Sequence, residues 1–195
     1  MAGKRTAQRD ATAAALVAEA RRQFATNGYA AVRLADIVSA LGITKGALYH
    51  HFDGKIELFR AVVREMQREV GDRVAAAAET QGDPWDELIA GCEAFLAAQP
   101  DPEVRQIMLV DAPAVLGWRE WRAMDDATSG TLLVEILGTL VDSGTIAMQP
   151  VEPLARLLSG AMNEAALWLA ETDSPTAPSD TSAALRRLLD SLRIH

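Results

Sequence analysis

The chain has 195 residues but one cysteine, Cys92, and only three histidines, His50, His51 and His195. A single thiol excludes an internal disulfide and a structural zinc site built on several cysteines, and it reads best as a small buried apolar residue. Two of the histidines are adjacent and the third is the last residue. No nucleophile–base pair, P-loop, dinucleotide-binding glycine pattern or metal-ligand spacing accompanies them. The expectation is therefore a non-enzyme without metal or cofactor. Long apolar runs are also missing, since none approaches the roughly 20 residues that cross a bilayer, so no membrane partner is expected. The segment Met1–Asp10 is charged and leads into no signal-peptide core, which gives a cytoplasmic expectation. β-branched residues are sparse and strict alternation is short, so the fold class is all-α.

Charge is unevenly distributed. The net charge is −8, yet residues 1–55 hold eight basic residues (Lys4, Arg5, Arg9, Arg21, Arg22, Arg33, Lys45, Lys55) against four acidic ones. That is a balance of +4, leaving −12 on the remainder. A basic head can hold phosphates locally while an acidic body repels nucleic acid and aids solubility. A nonspecific, architectural DNA binder would be basic throughout, and this chain is not.

Helical periodicity and breakers divide the chain. Leu16, Ala20 and Phe24 mark a helix over Asp10–Thr26, ended by Asn27-Gly28. Leu34–Leu41 is a short second helix, and Gly42 turns the chain into a third, Lys45–His51, with Thr44 as its N-cap. A long helix follows over Lys55–Glu79, with Leu58, Val62, Met66 and Val70 on one face. Asp83-Pro84 opens a fifth helix to about Gln99. Further helices are expected over Glu103–Asp111, over Trp118–Val141 with a break near Ser129-Gly130, from Pro153 to about Thr172, and over Thr181–Arg193. Asp173–Asp180, rich in Pro, Ser and Thr, reads as a disordered loop.

The second and third helices, joined by a tight glycine turn, fit the helix-turn-helix plan. Ile37, Leu41, Ile43, Leu48 and Phe52 can lock the pair, which leaves Lys45, Gly46, Ala47, Tyr49 and His50 facing outward. Lys45 suits a phosphate or a guanine edge, the small Gly46 and Ala47 allow close approach to a groove, and Tyr49 and His50 offer polar tips to phosphate oxygens. Lys55, at the start of the next helix, adds charge there.

The run from Ile37 to Phe52 (IVSALGITKGALYHHF), followed by Lys55 and Leu58, closely resembles the DNA-binding signature of the tetracycline-repressor-like (TetR) family. The resemblance covers roughly residues 10–60. It implies a three-helix DNA-binding head, residues 1–54, and a larger helical ligand-binding and dimerisation body, residues 55–195, linked by helix 55–79. It also implies a homodimer that represses transcription at a pseudo-palindromic, double-stranded operator and is released by a small-molecule effector. Carried over by position, the DNA contacts are Thr44, Lys45, Gly46, Ala47, Tyr49, His50 and Lys55. Arg33 stands where many members place a Thr or Ser that touches phosphate, and it is included as a longer-reaching contact. Lys4 and Arg5 form a candidate arm for additional contacts.

Two apolar stripes in the body suit a four-helix dimer interface: Leu132, Leu133, Ile136, Leu137 and Leu140, and then Leu154, Leu157, Leu158, Ala161 and Ala165. The same stripes would also fill a monomer core. An effector cavity for a small hydrophobic or aromatic molecule is expected among Met66, Phe95, Met108, Trp118, Trp121, Met124, Met162 and Trp168, with Asp111 and Asn163 as polar anchors. Core packing explains each of these aromatics equally well.

Overall fold

The computed structural model describes residues 2–98 and 101–194, with side chains from Thr6 onward. Helices dominate, and among the described residues the only β pairing is an isolated antiparallel bridge between Ile146 and Arg193. The helices are α1 (Ala2–Ala31), α2 (Leu34–Ala40), α3 (Lys45–Tyr49), α4 (Lys55–Glu79) and α5 (Pro84–Ala98). They continue with α6 (Pro102–Val104), α7 (Ala112–Leu116), α8 (Trp118–Asp125), α9 (Thr131–Asp142), α10 (Val151–Glu171) and α11 (Ala177–Asp190). Two wide π-helical stretches, Arg105–Asp111 and Asp126–Gly130, join α6 to α7 and α8 to α9.

By packing, the chain forms two compact units. The first comprises residues 1–66 and 102–121, and the second comprises residues 67–101 and 122–195. This division differs from the one expected at residues 54 and 55. It runs through the middle of α4, and it groups residues 102–121 with the N-terminal helices.

In the first unit Leu16, Ala20 and Phe24 of α1 are fully buried, as are Ile37 of α2 and Leu58, Phe59 and Val62 of α4. Phe24, Tyr29 and Phe59 form a ring cluster, with Phe24 edge-on to Phe59 at 5.1 Å and Tyr29 4.8 Å from Phe59. Helical geometry breaks at Gly28, which takes a left-handed φ of +72°. The stop expected at Asn27-Gly28 is therefore a kink, and helix resumes to Ala31. In the stretch Arg105–Asp111, Ile107, Met108 and Leu109 are all buried, as a widened turn permits. The helix expected over Glu103–Asp111 continues through Pro113 to Leu116. Pro113 lies just after the π-helical stretch, at the start of α7, where the backbone stays helical through Asp111 and Ala112.

The second unit closes around Trp85, Leu88 and Cys92 of α5, Leu137 and Leu140 of α9, Leu158 and Met162 of α10, and Leu189 of α11. α5 starts as expected, with the Asp83 carboxylate accepting the Trp85 N–H at 2.8 Å. The anticipated break near Ser129-Gly130 is a π-helical turn between α8 and α9. The segment expected as a loop up to Asp180 is shorter, since α11 already begins at Ala177, with Pro178 in its first turn. The C-terminal end is tied down where Ile194 N–H donates to Thr145 O at 2.9 Å.

Candidate nucleic-acid interface and effector cavity

α2 and α3 meet at Gly42, whose φ of +65° turns the chain with nothing within 4 Å of where a Cβ would stand. Thr44 caps α3 as its sequence position suggested, its hydroxyl accepting the Ala47 N–H at 3.2 Å. Leu48 is the buried residue of α3. Thr44, Lys45, Gly46, Tyr49 and His50 are exposed, and Ala47 is half-buried. Tyr49 keeps 58% of its surface, a large value for an aromatic side chain, so its ring is not part of the core.

Arg33 occupies the N-cap of α2 in extended geometry and makes no side-chain cap bond. Its side chain is exposed. Lys55 is half-buried: its ammonium sits 4.2 Å from the centroid of the Tyr29 ring and donates to Ala30 O at 3.4 Å. Burial lowers its pKa, and nearby Asp111 opposes that shift. Lys55 thus braces the head internally, a role its sequence position alone does not reveal. The side chains of Lys4 and Arg5 lie outside the described residues.

Polar contacts among the described residues help join residues 102–121 to the rest of the first unit. Arg21 pairs with Glu103 at 3.0 Å, Asp111 accepts the Tyr29 N–H at 2.7 Å, and Arg60 bridges Glu57 and Glu120. The Arg60 guanidinium holds the Glu120 carboxyl below its usual range.

The second unit contains a cavity of about 240 Å³. Val74, Ala75 and Ala78 of α4 form one wall, and Glu87, Leu88, Gly91, Cys92 and Phe95 of α5 form another. Ser129, Leu132, Leu133, Glu135, Ile136, Thr139 and Met162 complete it. Of the ten residues expected around an effector, Phe95 and Met162 are in this lining. Met66, Met108, Asp111, Trp118 and Trp121 belong to the first unit. Met66, Met108 and Trp121 are buried there, and Trp118 is exposed, its ring 4.9 Å from that of Trp121. Met124, Asn163 and Trp168 are in the second unit but not in the cavity wall. Asn163 is buried and donates to Asp125 at 3.3 Å and to Ser159 O at 3.0 Å, within a polar cluster completed by Arg122.

The wall residues that sequence reasoning passed over include several small ones. Ala75, Ala78 and Cys92 leave space that larger residues would fill, and Gly91 lets α5 approach α4, the Val74 Cγ1 lying 3.4 Å from where its Cβ would stand. A usable signal was the spacing of Leu88, Gly91, Cys92 and Phe95, one face of α5 with two small members.

The dimer expectation needs correction at four positions. Leu133, Leu137, Leu140 and Leu158 are buried within a single protomer and fill its core. Leu132 and Ile136 line the cavity. On α10, Leu157 is 73% exposed, Ala161 is exposed, and Leu154 and Ala165 are half-buried.

Known proteins bear on both units. A family model described as bacterial regulatory proteins, tetR family, matches residues 16–62. A second, described as tetracyclin repressor-like, C-terminal domain, matches residues 85–192. Over 88 residues the chain is 39% identical to the HTH-type transcriptional regulator TtgR of Pseudomonas putida, covering 45% of this chain and 40% of that protein. The match thus spans about two fifths of that curated relative. The crystal structure of a TetR-family transcriptional regulator from Pectobacterium atrosepticum is 34% identical, with 97% of both chains covered and a TM-score of 0.79. RolR, crystallised with resorcinol, shares the fold at 17% identity and a TM-score of 0.73, with 94% of this chain and 89% of RolR covered.

Proposed function

Since the chain belongs to the TetR family of bacterial transcriptional regulators, we propose that it is a repressor that binds a pseudo-palindromic operator as a homodimer and is released by a small molecule. The observation that carries this reading is α3 itself. It is capped by Thr44, anchored by buried Leu48, and presents Lys45, Gly46, Tyr49 and His50 to solvent. That is the arrangement of a recognition helix entering a major groove. Arg33 and Thr44 flank it as phosphate contacts, with Ala47 at the groove edge and Lys55 behind.

The cavity in the second unit is the proposed effector site. RolR, of the same fold, holds a small aromatic molecule. Val74, Ala75 and Ala78 place one cavity wall on α4, and the N-terminal half of the same helix belongs to the first unit. Occupancy would bias α4, and the ligand must bind the DNA-incompetent state more tightly for release to follow. Dimerisation is assigned to the outer faces of α10 and α11, where Leu157, Trp168 and Leu188 are exposed.

The test is selection of bound fragments from genomic DNA, followed by footprinting and titration of variants. A palindromic footprint is expected. Tyr49→Ala should weaken binding, and Lys45→Ala should reduce the salt slope by about one. Unchanged affinity and slope in both variants would remove α3 from the interface.

A further inference from the structure

The cavity carries information about the chemistry of its ligand, and this inference rests on its being the effector site. We infer that the ligand is a hydrophobic cation, an amine or quaternary ammonium compound built around about one aromatic ring, and not a carboxylate or phosphate.

The lining contains two carboxylates, Glu87 and Glu135, and no Lys, Arg or His. Neither glutamate forms an ion pair among the described residues. Three arginines of the same unit are engaged elsewhere, Arg122 with Asp125 and Asp126, Arg156 with Asp126 and Glu152, and Arg186 with Glu93, while Arg73, next to Val74, is exposed and is not in the lining. An anion in this cavity would therefore meet the half-buried Glu87 and the exposed Glu135 with no cationic side chain in the wall. A cation meets the reverse and recovers part of its lost hydration from the carboxylates.

The rest of the wall sets the body of the ligand. Leu88, Phe95, Ile136 and Met162 offer apolar surface that rewards a hydrocarbon or aromatic group. The Ser129 hydroxyl is buried without a hydrogen-bond partner although Ser129 lines the cavity. Being inaccessible, that oxygen offers no contact to a ligand, and discrimination by charge falls to the two glutamates. A cavity of about 240 Å³ suits a compact molecule.

The test uses the full chain without DNA and three probes sharing one phenylbutyl body: 4-phenylbutylamine, 4-phenylbutanamide and 4-phenylbutyrate. Binding is measured by calorimetric titration at neutral pH, where the amine is protonated. The amine should bind about tenfold tighter than the amide, and the carboxylate weaker than both. The double variant Glu87→Gln/Glu135→Gln should shrink the amine's advantage to about twofold or less while leaving amide affinity in place. Leu132→Trp, which fills the cavity, should abolish binding of all three. Equal or tighter binding of the carboxylate, an amine preference that survives the double variant, or no binding by any probe would overturn the assignment. Operator binding, measured separately, distinguishes the two readings. Selective amine binding without operator binding would leave the ligand class standing and remove the regulator reading. Operator binding with unselective probes would remove the ligand class alone.

Discussion

The Asp111 carboxylate accepts the backbone N–H of Tyr29 at 2.7 Å, joining the π-helical stretch ahead of α7 to the residue that follows the Gly28 kink in α1. The kink places Tyr29 against the Phe59 ring and under the Lys55 ammonium. One carboxylate therefore fixes the point at which the N-terminal helix meets its support.

Removing that acceptor leaves a part-buried N–H unpaired. Asp111→Ala should lower unfolding free energy by about 1–2 kcal/mol in urea denaturation. Asp111→Asn, which keeps a carbonyl oxygen in place, should lose less. Equal losses would assign the effect to the charge opposite Lys55 and not to the hydrogen bond.

Gly42 isolates a backbone effect. Its φ is +65° and the space beside it is open, so a methyl group there meets no neighbour. Gly42→Ala should still cost about 1–2 kcal/mol through the left-handed conformation alone. Thermal unfolding measures this, and an unchanged melting temperature would show that the turn relaxes.

Leu137 and Leu157 test the revised assignment of the apolar stripes. Leu137 is fully buried and Leu157 is 73% exposed. Leu137→Ala should destabilise the protein by about 2–5 kcal/mol. Leu157→Ala should leave protomer stability within about 0.5 kcal/mol and shift the dimer equilibrium in sedimentation at low concentration. Strong destabilisation without any change in association would place Leu157 in the core.

Asp125 gives a pH dependence with a definite sign. Burial raises its pKa above the ordinary 3.8, against the opposing pull of Arg122, Asn163 and Ser159. The folded state then holds the proton more tightly than the unfolded state. Its contribution to stability is greatest below 3.8 and is lost as pH rises through the raised folded value. Asp125→Asn should remove this falling component from a plot of unfolding free energy against pH. An unchanged slope across that window would assign the dependence to other groups.

The head was legible because its signals are local. Gly28 and Gly42 demand left-handed backbone, Thr44 caps the helix it precedes, and Leu16, Ala20 and Phe24 repeat at helical spacing. The body was harder to read because its decisive facts concern which helices pack together. The stripe Leu133, Leu137 and Leu140 looks the same in sequence whether it meets another helix of its own chain or a second copy. The aromatics drew attention to the wrong place for a cavity. Trp118 and Trp121 pack on each other, whereas the open space is bordered by the small Ala75 and Ala78. The early start of α11 is hidden in the sequence because Pro178 reads as a breaker until its place in a first turn is known.

Burial pushes the Cys92 thiol up to about 12, with Glu93 adding to the effect. At neutral pH that sulfur carries almost no thiolate, and no other cysteine competes for an electrophile. The native chain is thus a ready background for site-directed labelling. A cysteine introduced at Tyr49 or Leu157 would take a maleimide dye or spin label selectively, without first removing the native thiol.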